Sequence, residues 1–144
     1  MSGRPLRASH PQKVRVADFG PDPTLTAEQG WVNMDVRWLV TSQSVGSQET
    51  VFGITVFPPD GRHDVHRHPN AEEVEYLVEG QGVARVGDDD VLMEVGDIVF
   101  AAANEWHGFR NSSSSERAVM VWCYGGAPSL EAAGYVREAD EQDS

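Results

Sequence analysis

Between Trp31 and Tyr124 apolar residues recur at every second position in short runs, broken by glycine, proline, asparagine and aspartate. Period-two alternation marks half-buried β-strands. Met34, Val36, Trp38 and Val40 alternate with Asn33, Asp35, Arg37 and Leu39. Residues 51–57 set Phe52, Ile54 and Val56 on one face. Pro58-Pro59-Asp60-Gly61 is a strong turn. Strands are then predicted over 64–68, 73–78, 83–86, 91–95, 97–101, 107–111 and 118–124, with Gly80-Gln81-Gly82 and the Gly87–Asp90 stretch as hairpin turns. Many short strands joined by Gly-rich turns predict an all-β sandwich or barrel. Helical signals are confined to one turn within residues 24–30 and a short helix over 129–134. In that helix Ser129 caps, Glu131 sits in the first turn and Gly134 ends it.

This pattern divides the chain into an N-terminal extension (1–30), one barrel (31–126) and a short helix with an acidic tail (127–144). Residues 1–13 are polar, with Pro5 and Pro11, and read as a disordered segment or an arm on a partner subunit. Glu138, Asp140, Glu141 and Asp143 read as a solvated tail. At 144 residues the chain is long enough for one real core.

Charge narrows the partners. A formal net charge of −12 argues against nucleic acid or an anionic membrane, both of which need a basic face. No apolar run is long enough to span a bilayer, and Arg4 and Arg7 precede no apolar stretch of the signal-peptide kind. Cytoplasm is the expected location. The single cysteine, Cys123, rules out an intramolecular disulfide and reads as a buried small apolar residue in the 118–124 strand.

The candidate chemistry lies in residues 61–80, which hold three of the five histidines and a run of carboxylates. His66 and His68 are two residues apart, so an extended strand points both imidazoles to one face. Pro69-Asn70 breaks that strand and Glu73 opens the next. Two strands meeting at a short loop can aim His66, His68 and Glu73 at one point, and imidazoles with a carboxylate are ligands for first-row transition metals. His107, after the Asn104-Glu105-Trp106 turn, is the candidate fourth ligand from a distant strand.

These residues resemble the two motifs of the cupin family. His66, His68, Glu73 and Gly80 stand in the order and spacing of the first motif, and Gly96, His107 and Asn111 in those of the second. Gly61 sits one residue nearer the first histidine than the family pattern has it. Ala102 and Asn104 replace a proline and a glycine of the second motif, and asparagine tolerates the left-handed turn that glycine would make. The resemblance spans about residues 33–124.

The resemblance implies a double-stranded β-helix, the jelly-roll β-barrel. It implies one divalent transition metal (Fe, Mn, Ni, Zn or Cu) held facially by His66, His68, Glu73 and His107, with open positions that suit catalysis. Glu72 competes with Glu73, but Glu73 keeps the family interval to Gly80. Strand alternation puts Glu75 on Glu73's face, as a candidate base or a support for a ligand histidine, ionised beside a dication. The alternative for Glu75 is a hydrated rim position. Phe52, Ile54, Phe100, Phe109 and Asn111 are the candidate substrate pocket. Tyr76 is assigned to core packing, and His63 to a turn rather than the site.

The family contains dioxygenases, isomerases, decarboxylases and lyases of this size. A metal-dependent dioxygenase acting on a small molecule is the preferred reading. The alternatives are a non-oxidative lyase, isomerase or decarboxylase, or a non-catalytic cupin that binds a small ligand. A homodimer is expected, because cupins commonly pair and an open jelly roll leaves strand edges to cover. The strand over 34–40, with Trp38, is the candidate interface.

Overall fold

The protein is described by a computed structural model covering residues 3–142. Asp143 of the acidic tail lies outside the described residues. After two single 3-10 turns, Val16–Asp18 and Ala27–Gln29, come β1 (Trp31–Val32), β2 (Asp35–Val40) and the one-turn helix α1 (Ser42–Val45). Next are β3 (Thr50–Phe57), β4 (Arg62–Arg67), β5 (Glu72–Glu79), β6 (Gln81–Val86), β7 (Asp89–Glu94), β8 (Ile98–Ala101), β9 (His107–Asn111) and β10 (Ala118–Gly125). The chain closes with α2 (Leu130–Ala133), β11 (Val136–Arg137) and α3 (Glu138–Gln142). Thr41 caps α1 by accepting from the backbone N–H groups of Gln43 and Ser44, which makes a helical turn where the sequence pattern predicts a loop.

Two antiparallel sheets face each other, as in a double-stranded β-helix. One has the order β1-β4-β9-β6-β7, with β11 also paired to β4; the other has the order β2-β3-β10-β5-β8. Each sheet also pairs strands distant in sequence: β3 pairs β10, and β4 pairs β9. That interleaving carries the two halves of the candidate site to the same end of the barrel.

The core between the sheets is rich in aromatic rings. Trp31, Trp122, Tyr124, Phe57 and Phe109 are buried, together with Leu77, Met93, Val36 and Val51. Room for the rings comes from glycine. A Cβ on Gly53 would collide with the Trp122 ring, and one on Gly82 with Phe109. The inward set of β3 is therefore Val51, Gly53, Thr55 and Phe57.

This overturns part of the sequence reading. Phe52, Ile54 and Val56 lie on the outer surface of their sheet, and Phe52 is 38% exposed. Phe100, 51% exposed, is outward for the same reason, being paired with outward Val74. Tyr76 is also outward, at 38%, and not in the core. Conversely, Trp38 of the expected interface strand faces in. Its ring packs edge-on against Trp31 and Trp122, and its indole N–H donates to Asp22 Oδ2 at 2.9 Å. Met34 packs against the same core.

Among the described residues the C-terminal segment is tied to the barrel, although Asp140 and Glu141 stay solvent-exposed. β11 lies along β4, with Val136 opposite Arg67 and Arg137 opposite His66. α3 is tied back by ion pairs from Arg85 to Glu138, at 3.0 Å, and from Arg67 to Glu141.

Candidate metal centre

β4 supplies His66; the turn after it supplies His68; β5 supplies Glu73; β9 supplies His107. The β4–β9 pairing puts His66 directly opposite His107, and the β5–β10 pairing puts Glu73 beside Tyr124. Asn104 takes the left-handed conformation (φ 67°) that lets the chain turn into β9. One ligand atom from each of His66, His68, Glu73 and His107 lies within 4.8 Å of the other three, and all four residues are buried. Glu72, one residue from Glu73, is exposed on the opposite face of β5.

Backbone carbonyls fix the tautomers. His66 Nδ1 lies 2.7 Å from the Asp64 carbonyl, His68 Nδ1 2.7 Å from that of Gly134, and His107 Nδ1 2.9 Å from that of Glu105. A carbonyl only accepts, so each Nδ1 carries the proton and each Nε2 turns a lone pair inward. His66 Nε2 and His68 Nε2 have no hydrogen-bond partner although both are buried. His68 Nε2 is 3.2 Å from Glu73 Oε1, but without hydrogen-bond alignment. Buried acceptors without donors are costly. A dication among the three imidazoles and the carboxylate would satisfy all of them, so the residues present fit a transition metal.

The electrostatics agree with that fit. Burial pushes the Glu73 carboxyl up, but the close contact with His107 and the positive charge there, with His68 nearby, outweigh it and lower the carboxyl to about 2. Burial pushes His107 down, but its contact with Glu73 at 2.9 Å and that carboxylate's charge raise it to about 9. His107 Nδ1 already donates to a carbonyl, so the close contact between its Nε2 and Glu73 needs a cation, either a proton or a metal. His66 is driven well below its usual value, first by burial and then by the neighbouring histidines. It offers a free lone pair at neutral pH.

Glu75 is inside the barrel, 5% exposed, and lines a cavity of about 20 Å³ with Glu73, His66, Thr55, Phe109 and Trp122. Burial, and then the Glu73 charge, raise its carboxyl far above the usual range. Without a metal, burial and the Glu73 carboxylate favour its protonated form, and the charge of His107 offsets them only in part.

Of the expected pocket residues, Phe109 lines this cavity, while Phe52, Ile54, Phe100 and Asn111 do not. Asn111 is buried and structural: its amide N–H groups donate to the carbonyls of Phe57 and Glu116, and its carbonyl accepts from Ser113 N–H. The walls are instead Trp31, Met34, Thr55, Phe57, Met120 and Trp122. Strand parity held the signal for Thr55 and Phe57, since both are in register with the inward Gly53. His63, assigned from the sequence to a turn, lies on β4 and lines the cavity, because the register shift between His63 and His66 breaks strict alternation and brings its ring against His66. Nothing in the local pattern marked Tyr135, which also packs close to His66.

A two-sheet β-helix closing around a buried three-histidine, one-carboxylate cluster defines a jelly-roll protein with a candidate metal centre. The Cupin domain profile matches residues 53–124. The chain belongs to the cupin family.

It is 22% identical over 103 residues to an oxalate-binding protein of Thermotoga maritima, covering 72% of this chain and 85% of that one. It is 31% identical over 84 residues to the tetracenomycin polyketide synthase protein TcmJ of Streptomyces glaucescens, covering 58% of this chain and 56% of that protein. In three dimensions it is similar to a predicted oxalate decarboxylase from Thermotoga maritima. The TM-score is 0.69 at 20% identity, covering 79% of this chain and 98% of the other. Likeness at that identity concerns the fold.

Proposed function

We propose that this chain is a metal-dependent cupin enzyme that acts on a small molecule at His66, His68, Glu73 and His107. The observation that carries the reading is the pair of buried, unpartnered Nε2 lone pairs on His66 and His68, aimed at the same place as Glu73. When bound, the metal supplies a Lewis acid for substrate oxygens and, if redox-active, a centre for dioxygen chemistry.

The protein's own residues do the rest. Phe57, Phe109, Met120 and Trp122 keep bulk water from the cavity. The cavity lining contains no lysine or arginine, so the charge of an anionic substrate would be met by the metal and by no side-chain cation. Its volume, about 20 Å³, is little more than one water requires, which favours a substrate of few heavy atoms. Glu75 faces the same space and is placed to hold or take a substrate proton.

Dioxygenase chemistry remains the first reading of the reaction. A non-oxidative decarboxylase or lyase is the second, favoured by the buried acid Glu75, since proton transfer is the step such chemistry needs. The oxalate names of two of the similar proteins point the same way. Metal analysis of the purified protein with oxygen-uptake screening, repeated anaerobically on small carboxylic acids including oxalate, separates the two. Turnover that consumes oxygen selects the first, and turnover without oxygen the second. Glu75→Gln should keep metal and fold and lose turnover by about a hundredfold if Glu75 is the base. Wild-type turnover in that variant would remove Glu75 from the chemistry.

A homodimer and a cytoplasmic location belong to the same reading. No helix among the described residues is long and apolar enough to cross a membrane. With the Trp38 ring turned into the core, the interface proposed is the outer sheet face rather than the Trp38 strand. The outer face of the β2-β3-β10-β5-β8 sheet carries Phe52, Val74, Tyr76, Val78, Ile98 and Phe100, each 38–62% exposed. Strand pairing sets Phe52, Cys123, Val74 and Phe100 in one row and Ile54, Val121, Tyr76 and Ile98 in the next. Such side chains at these exposures present roughly 600 Å² of apolar surface, at the upper end for a monomer and near the ~800 Å² that each partner contributes to a standard interface. The occupant proposed is a second copy, the same face packed on itself across a two-fold axis.

A further inference from the structure

His63 falls outside the four-ligand cluster, yet it is sandwiched against it. Its ring lies 3.8 Å from that of His66, tilted 22°, and 4.0 Å from Trp31 on the other side, tilted 31°. The first contact is stacked and the second tilted, so the plane of His63, held by Trp31, constrains the plane of His66. His63 is itself held by Tyr135, whose hydroxyl lies 3.1 Å from His63 Nε2. The same hydroxyl donates to the Gln29 carbonyl at 2.7 Å. With its proton committed there, the tyrosine oxygen accepts from His63, which fixes the proton on His63 Nε2.

Tyr135 arrives on the strap that joins α2 to β11, and the residue before it also serves the cluster. The Gly134 carbonyl is the acceptor for His68 Nδ1. Gly134 adopts φ +82°, and a Cβ there would lie 2.8 Å from Pro69 Cδ, so the strap closes on the turn that carries His68 as only glycine allows. The strap is pinned on both sides. Asn70 N–H donates to the Ala133 carbonyl at 2.9 Å, and beyond the strap Arg137 reaches the Glu28 carbonyl and pairs with Asp140 at 2.6 Å. Two consecutive residues far from the cupin motifs thus act on two different candidate ligands.

We infer that His63 and Tyr135 are positioning residues of the metal centre: the C-terminal strap, through Tyr135 and Gly134, sets the ring orientations of His66 and His68 for the metal. This deepens the metal-centre reading and rests on it. A purely structural role predicts something else, namely lower stability of the metal-free protein with unchanged metal affinity.

The test titrates cobalt(II), a spectroscopically visible first-row dication, into the full-length metal-free protein, and records each variant's metal-free melting temperature alongside. Loss of a group that orients a metal ligand from outside typically weakens affinity 10–100-fold; Tyr135 acts at one remove, through His63, so Tyr135→Phe should weaken binding about tenfold, and His63→Ala, which removes the ring stacked on His66, more, towards about a hundredfold. His63→Phe keeps a stacked ring but loses the bond to Tyr135. It should bind within about threefold of Tyr135→Phe, and the double variant should lose little more, because both changes break one link. The cobalt absorption bands should shift in Tyr135→Phe and His63→Ala.

Wild-type affinity and an unchanged spectrum in Tyr135→Phe, which keeps its ring packed, overturn the inference whatever happens to His63→Ala. They leave the metal-centre reading standing. A wild-type protein that binds no cobalt overturns that reading, and this inference with it.

Discussion

Stripping the metal should soften the whole domain, by an amount that follows from the site. In the metal-free chain His66 Nε2 and His68 Nε2 face inward without a donor, at 2% and 1% residue exposure. Each such buried, unpaired acceptor costs roughly 1–3 kcal/mol. Relief of that cost is part of the metal's affinity, and a dication that binds the native state alone stabilises it by RT ln(1 + [M]/Kd), about 2.7 kcal/mol at a hundredfold excess over Kd. A domain of this size gains roughly 2–4 °C per kcal/mol, so saturating metal should raise Tm by about 5–11 °C over chelated protein. The assay is thermal unfolding followed by tryptophan fluorescence, with EDTA-treated protein given Mn, Fe(II) under argon, Ni, Zn or Cu in turn. His66→Ala and Glu73→Gln should abolish most of the shift. Glu72→Gln should keep it, because Glu72 is exposed on the far face of β5. Identical melting of chelated and metal-supplemented protein with every metal tried would refute the argument, as would a full shift in both His66→Ala and His107→Ala.

Gly53→Ala drives a Cβ into the Trp122 ring, whose indole N–H donates to Thr55 Oγ1 at 2.8 Å on the cavity wall. It should cost about 1–3 kcal/mol by overpacking, read as a lower denaturant midpoint. Gly20→Ala, with nothing within 4 Å, should stay within about 0.5 kcal/mol of wild type, and equal effects at the two positions would count against ring packing as the reason for Gly53. Tyr76→Lys combined with Ile98→Lys should turn a dimer into a folded, metal-competent monomer by light scattering and expose Cys123 to alkylation. A monomeric wild type, or a double variant that still dimerises, would remove the outer face as the interface.

Period-two alternation was enough to place most strands within a residue or two, and the spacing of His66, His68, Glu73 and His107 was enough to name a ligand set before any distance was known. Both signals are local, or are ordered along the chain. Alternation separates the two faces of a strand but does not say which face turns inward. On β3 the more apolar face, Phe52-Ile54-Val56, points out, because the interior spends its space on rings and leaves Gly53 and Thr55 to flank them. On β5 the inward face is Glu73-Glu75-Leu77, and the apolar Val74-Tyr76-Val78 set is exposed. A barrel whose interior holds a polar site, and whose outer sheet face is apolar, inverts the usual rule, so Phe52, Ile54 and Phe100 of the expected pocket wall lie on the outer surface while Phe109 lines the cavity. The strap was illegible for a different reason. Tyr135 and His63 are 72 residues apart and meet only because β11 adds to the free edge of β4. No periodicity encodes a contact of that kind, which is settled by three-dimensional closure alone.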